Sequence, residues 1–142
     1  MRIKEILYEL PLLHQQAINE IRLRVGRPVT LHTPTRVDIL KHNGQPVATE
    51  KQDIEESYRR ICDFSIYSHQ EEIKKGYITI MGGHRVGISG TAVLQQGQIA
   101  TVREISSLNI RVARQVYGAA NELLSRIGQD ISKGLLIAGP PS

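Results

Sequence analysis

Arginine stands at positions 22 and 24 of this 142-residue chain, in the segment Glu20-Ile21-Arg22-Leu23-Arg24-Val25. The segment alternates polar and apolar residues, and a two-residue spacing on an extended strand sends both arginines out of one face. A guanidinium is planar and donates two parallel hydrogen bonds, which suits phosphate oxygens. Two of them on a rigid strand could clamp the phosphates of a nucleotide. The same pattern also describes a solvated strand face, and the spacing leaves both open.

Further cations lie in the second half, at Arg85, Arg103, Arg111 and Arg114. Arg85 sits in Gly82-Gly83-His84-Arg85-Val86-Gly87, a glycine-rich basic stretch able to approach a phosphate or a partner's backbone. It does not match the dinucleotide fingerprint, and a β-turn with a bulge accounts for it equally well. The last nine residues, GLLIAGPPS at 134–142, are an apolar run that meets a glycine and two prolines. A buried strand feeding a glycine turn is how a phosphate-binding loop begins, and Gly139 would be its first glycine. The loop's second glycine, its lysine and its magnesium-binding hydroxyl would follow Ser142. The stretch therefore reads as a chain cut just inside a nucleotide-binding motif, and equally as a core strand entering a turn.

Other chemistry is not written here. The five histidines have no metal-ligand spacing, and with one cysteine, Cys62, a structural zinc site is not expected. The carboxylates form no catalytic pair, and no nucleophile stands beside a base. No catalytic residue and no metal ligand is assigned.

The net charge of +4 and the pI of about 9.4 favour an anionic partner only mildly, because the basic residues are dispersed. A nucleic-acid-binding domain is one reading of that charge. However, with five Tyr, one Phe and no Trp the chain lacks the stacking aromatics of single-strand binders, so nucleic acid is not the expected partner. The core must be aliphatic. The lone cysteine fits a reducing compartment. No signal peptide is visible, and no apolar run approaches the roughly 18 residues of a membrane helix.

The elements that would position these residues follow from periodicity. Ile3, Ile6, Leu7 and Leu10 share a helical face, and Pro11 ends that helix or begins the next. Ile21, Leu23 and Val25 point inward from the first strand, with Glu20, Arg22 and Arg24 outward. Val29 and Leu31 return as a hairpin, residues 37–40 make a third strand, and Asn43-Gly44 is a turn. Thr49 with Gln52 and Ser68 with Glu71 read as capping boxes for two helices, the first with Ile54, Tyr58 and Ile61 on its face. Gly76 closes the second helix. Residues 77–105 form an antiparallel meander with turns at Gly82-Gly83 and Gln96-Gly97, and residues 106–112 read as extended or irregular. Val116, Ala119, Ala120, Leu123, Leu124 and Ile127 line a helix that Gly128 ends. The fold class is α+β: N-terminal helices and a β-hairpin, a helical pair, an antiparallel meander and a C-terminal helix, then a strand of α/β type. Residues 1–130 form the first domain, and residues 131–142 begin a second.

Five segments together resemble one family: NEIRLRVGRP at 19–28, SHQEEIKKGYITI at 68–80, GGHRVGISG at 82–90, SSLNIRVAR at 106–114 and LLIAGPP at 135–141. In their order and spacing they resemble the N-terminal part of the stage III sporulation protein AA family, ATPases of endospore-forming Firmicutes similar to type II and type IV secretion ATPases. The resemblance covers essentially the whole chain. It implies a hexameric motor whose P-loop ATPase domain, with ATP and magnesium, begins near Leu135. It implies work in the mother-cell cytoplasm, with recruitment to the membrane through proteins of a channel complex between mother cell and forespore. The chain's partners would be its own ATPase domain, neighbouring subunits and those membrane proteins. By position in the family's architecture, Arg22 and Arg24 are the first candidates to contact nucleotide, and Arg111 and Arg85 the next. This stretch alone, without the P-loop lysine and hydroxyl, is not expected to hydrolyse ATP. A protein-interaction module that docks a membrane partner without touching nucleotide is the competing expectation.

Overall fold

The computed structural model describes residues 2–62, 66–114, 117–127, 134, 136, 138 and 139. Two short helices come first, α1 (Arg2–Tyr8) and α2 (Leu12–Ala17). Pro11 stands at the N-cap of α2, where its missing N–H costs nothing. Strand β1 (Glu20–Arg24) turns back into β2 (Thr30–His32), and β3 (Val37–Ile39) pairs on the far side of β2. A small hairpin, β4 (Lys41–His42) and β5 (Gln45–Pro46), closes through Asn43 and Gly44. Both turn residues have positive φ, 50° and 78°, as a tight two-residue hairpin requires.

Helix α3 (Lys51–Ile61) follows, then a 3₁₀ turn (Ile66–His69) that runs into α4 (Gln70–Lys74). The meander is β6 (Tyr77–Ile80), β7 (His84–Gln95) and β8 (Gln98–Arg111), and α5 (Asn121–Ile127) comes last.

The hairpin and the meander are one sheet. Its six strands run β3-β2-β1-β8-β7-β6, every neighbouring pair antiparallel. Strand β1 pairs along its whole length with β8, from Glu20 opposite Arg111 to Arg24 opposite Ser107. Residues 106–111, expected to be extended or irregular, are thus regular strand at the centre of the sheet.

One face of this sheet is the core. Leu23, Leu31, Ile78, Val86, Ile88 and Leu108 meet Ile3 and Ile6 of α1, Ile54 of α3, Cys62 beyond it and Ile73 of α4. The cluster is aliphatic, as the composition demanded. Arg2 ties α1 to the start of α3. It donates to both Asp53 and Glu50, and through Nη2 to the Ala48 carbonyl at 2.8 Å. The hydrogen bond to Asp53, against the smaller cost of burial, raises the Arg2 pKa.

Several local expectations are corrected. The cap of α3 is Glu50 with Asp53, not Thr49 with Gln52. Thr49 is occupied in extended pairing: its N–H donates to the Arg27 carbonyl and its own carbonyl accepts from Gly26. At α4 the N-cap is His69, with no side-chain cap bond, because the 3₁₀ turn already uses Ser68 as part of its helix. Val25 does not point into the core. It is 40% exposed, since the chain leaves the sheet there and Gly26 takes φ 72°. Helix α5 begins at Asn121, and its Leu124 and Ile127 are exposed. Its expected beginning at Val116 and its end at Gly128 lie outside the described residues, as does most of the strand expected at 135–142. The described residues 134, 136, 138 and 139 carry no strand pairing, and Leu136 is exposed.

Strands β7 and β8 are far longer than β1, so beyond Ser107 they continue as a two-stranded ribbon. A bulge opens where the ribbon leaves the sheet. The register shifts between Ser89 and Thr91, Glu104 takes φ 46°, and the Thr91 hydroxyl donates to the Glu104 carboxylate at 3.0 Å. The ribbon leans over α3 and α4 and leaves a groove of about 1130 Å³, lined by Tyr58, Lys74 and Arg103 among others. Gly90 sits at the bulge, and a Cβ there would lie 2.5 Å from the Arg103 carbonyl oxygen. That neighbour is backbone and cannot swing aside.

Gly90→Ala is therefore expected to lower stability by about 1–3 kcal/mol, read as a shifted urea midpoint with an unchanged slope. An unchanged midpoint would mean that the bulge relaxes freely. Cys62 gives a second expectation. Its thiol is fully buried, and burial, partly opposed by a hydrogen bond from Tyr58, raises its pKa. It should label with a thiol reagent roughly a hundredfold more slowly in the folded chain than in urea, and comparable rates would contradict this packing.

Candidate functional site: the arginine face of the sheet

Alternation sends the other half of each strand to the face opposite the core. Across the strands this face reads in rows. One row runs Val37, His32, Glu20, Arg111, Arg85, Thr79, and the next runs Ile39, Thr30, Arg22, Asn109, Gly87, Tyr77. Arg24 continues the face opposite Ser107. Arg22, Arg24, Arg85 and Arg111, separated by up to 89 residues in the chain, are thus brought onto one face of adjacent strands, and all four are exposed.

Adjacent strands lie roughly 4.8 Å apart. Arg111 and Arg85 are direct cross-strand partners, an arrangement that is repulsive unless something compensates. The compensation comes from Glu20. It was expected to point to solvent, and it does leave the outer face, yet it is buried at 8% exposure because the arginines cover it. One carboxylate oxygen accepts from Arg22 Nε, and the other accepts from Arg111 Nε at 3.3 Å. Burial by itself would raise the Glu20 pKa. The hydrogen bond and charge of Arg22, with the hydrogen bond from Arg111 and the charge of the nearby His32, outweigh it and hold the carboxyl below its ordinary range.

Above this pair of ion pairs is a shallow depression of about 540 Å³, whose lining includes Arg22, Arg111, His32 and Arg114. Chemically its lining is a set of guanidinium donors with one carboxylate beneath them, donors of the kind that suit an anion. In the adjacent row the Asn109 side-chain oxygen is buried without a hydrogen-bond partner.

The remaining candidates are engaged differently. Arg24 and Arg85 carry no side-chain ion pair among the described residues, so their charge is uncommitted. Arg114 is engaged structurally, donating to the carbonyls of Ile18 and Gln15 at the end of α2. Arg103 lies out on the ribbon, facing the groove over α3 and α4. Gly139 does not line the depression, and an added Cβ there would meet nothing within 4 Å. His84 is turned to the backbone, its Nδ1 accepting from the Ala113 N–H at 2.9 Å. Glu20 and Asn109 were not singled out from the sequence. An acidic residue two before an arginine on a strand was the available signal for Glu20.

Among the described residues no group of three or more His, Cys, Asp or Glu is gathered to hold a metal ion, and no helix is long and apolar enough to cross a membrane.

The comparisons bear on the whole chain. A family model described as "Sporulation stage III, protein AA" matches residues 1–142. The stage III sporulation protein AA of Bacillus subtilis (strain 168) is 39% identical over 143 residues. That match takes in 98% of this chain and 44% of the relative, so the chain spans less than half of the relative's length. Among solved structures, the Legionella pneumophila ATPase DotB aligns with a TM-score of 0.48 at 12% identity, over 93% of this chain and 33% of that one. The pilus retraction motor PilT, with bound ADP, aligns at 0.42 and 15% identity, over 80% and 32%. At these scores neither likeness carries weight on fold or function.

The Glu20 geometry predicts a pH signature. Glu20→Gln should cost about 1–3 kcal/mol at neutral pH, because one arginine loses its acceptor. A carboxyl whose folded pKa is depressed stabilises above its unfolded pKa of roughly 4.3, and loses that contribution as pH falls through the folded value. The stability gap between wild type and variant should therefore be constant above about pH 5 and close below it. A gap that stays open to the acid limit would contradict the assignment.

Proposed function

The chain belongs to the sporulation stage III, protein AA, family, and on that premise we propose that it is the N-terminal regulatory and assembly domain of a hexameric sporulation ATPase. The ATPase domain, in the same or a neighbouring subunit, holds ATP and magnesium. Arg22, Arg24, Arg85 and Arg111 reach the phosphates of that nucleotide from the open face of the sheet. The assembly works in the mother-cell cytoplasm and is recruited to the membrane by proteins of the channel between mother cell and forespore.

The observation that carries this reading is the convergence of four exposed arginines, two of them direct cross-strand partners, on one rigid face. A sheet that only needed solubility would not set Arg111 against Arg85 and bury a glutamate to hold the cluster together. Transferring phosphoryl groups develop charge that guanidinium groups stabilise well.

A second reading has its own support. Tyr8, Leu12 and Leu13 are exposed by 67%, 67% and 82%, and Tyr8 lines a small apolar groove of about 240 Å³ with Leu7, Ile18 and Ile21. Exposed apolar side chains beside a groove suit a protein partner, as expected of an interaction module that leaves nucleotide untouched.

One experiment separates the two. Replacing Arg22 and Arg24 together by Ala in the full-length protein should lower ATP hydrolysis at least about tenfold if they stabilise the phosphates. Unchanged hydrolysis, with assembly intact, would leave the interaction module as the better account.

A further inference from the structure

We propose that Glu20 is a positioning residue for polyphosphate on the arginine face, fixing Arg22 and Arg111 through their Nε atoms so that their terminal nitrogens are presented to the ligand's oxygens. The inference rests on the reading that these arginines take phosphate.

The layering carries it. The Glu20 side chain is 11% exposed, whereas those of Arg22 and Arg111 are 49% and 72% exposed. The carboxylate is at the bottom and the guanidinium groups are above it. An anion arriving from solvent meets the arginines first and has no need to displace Glu20. Each carboxylate oxygen serves a different arginine, both through Nε. That leaves the terminal nitrogens of both side chains on the solvent side, where a guanidinium can still donate in parallel.

The register shows why such a brace is needed. Glu20 is the direct partner of Arg111, Arg22 is two residues along the same strand, and Arg85 adjoins Arg111 on the other side. Without a central carboxylate the three guanidinium groups would repel one another and splay apart. A ligand would then have to gather them at the cost of their freedom, which is what a preorganised site avoids.

Removing the negative charge has two opposite effects on an anion. It lowers repulsion and it loses alignment. Two guanidinium groups already neutralise the carboxylate, so alignment dominates. Glutamine at this position can accept through one oxygen only, and its amide N–H groups face the second arginine's donor. One arm of the clamp is then released.

The test uses the full 142-residue chain, labelled with nitrogen-15, and follows the arginine Nε–H resonances as tripolyphosphate is added at low salt. In the wild type the Arg22 and Arg111 signals should shift and saturate. In Glu20→Gln the affinity should fall about tenfold while the sheet amide resonances keep their positions. Unchanged or tighter binding by the variant would make Glu20 a competing charge and overturn the proposal, with the arginine reading left standing. Absence of saturable shifts in the wild type would overturn both.

A second arm needs no variant. Sulfate, whose charge does not change over the range used, is titrated into the wild type from about pH 5 downward, where ordinary carboxyls begin to protonate. The charged groups facing Glu20 are Arg22, Arg111 and His32. Affinity should hold and then drop as Glu20 protonates, with the Nε–H signals broadening together. Affinity that rises on acidification would overturn the proposal.

Discussion

The pairing of β1 with β8 is the constraint on which the rest of the molecule depends. It joins residues about ninety apart in the chain, and closing that loop costs conformational entropy before any contact repays it. Repayment comes from two sides. Five consecutive registered pairs bring Leu23 against Leu108 and Ile21 against Ile110, next to the aliphatic cluster under the helices. The end at Glu20 and Arg111 is pinned as well, since Val112 donates to the Asn19 carbonyl and Asn19 to that of His32. Because a strand alternates strictly, the register that buries Leu23 also sets Glu20, Arg22 and Arg24 beside Arg111, Asn109 and Ser107. A slip by one residue would destroy the core and the arginine face together.

What could be read from the sequence was local. The alternation at 20–25 gave the first hairpin, and Asn43-Gly44 and Gln96-Gly97 marked turns whose residues do adopt positive φ. The arginines at 22 and 24 were legible as a face for the same reason. Their union with Arg85 and Arg111 was not, since strand partners distant in sequence leave no periodic trace in a single chain. The continuation of β8 through 106–111 was obscured by Ser106, Ser107 and Asn109, polar residues that look like a loop in isolation, although Ser107 and Asn109 suit the outer face of a central strand.

The misplaced start of α3 has a tertiary cause. A hydroxyl before a helix reads as a cap, and Thr49 fits that description. Tertiary pairing overrides it, because Thr49 is held in extended contact with residues 25–27 and the cap passes to Glu50. Glu20 shows the same override in electrostatics. Its alternation placed it on the outer face correctly, but neighbours from two strands turn that outer position into a buried one. Burial is a property of the assembled sheet and cannot be computed from one strand.

The ribbon beyond the sheet has a mechanical consequence. Past Ser107, about nine residues of β8 extend unaccompanied by β1, a reach of roughly 30 Å at about 3.3 Å per residue. The bulge at Glu104, pinched against Gly90, is close to where this beam leaves its mounting. A rotation of about 10° there would carry the Gln96-Gly97 tip through roughly 5 Å over that reach. The ribbon is thus a cantilever: stiff along its length, clamped by the sheet at one end and propped by α3 and α4 from below, so that small angular changes at the fulcrum become large displacements at the tip.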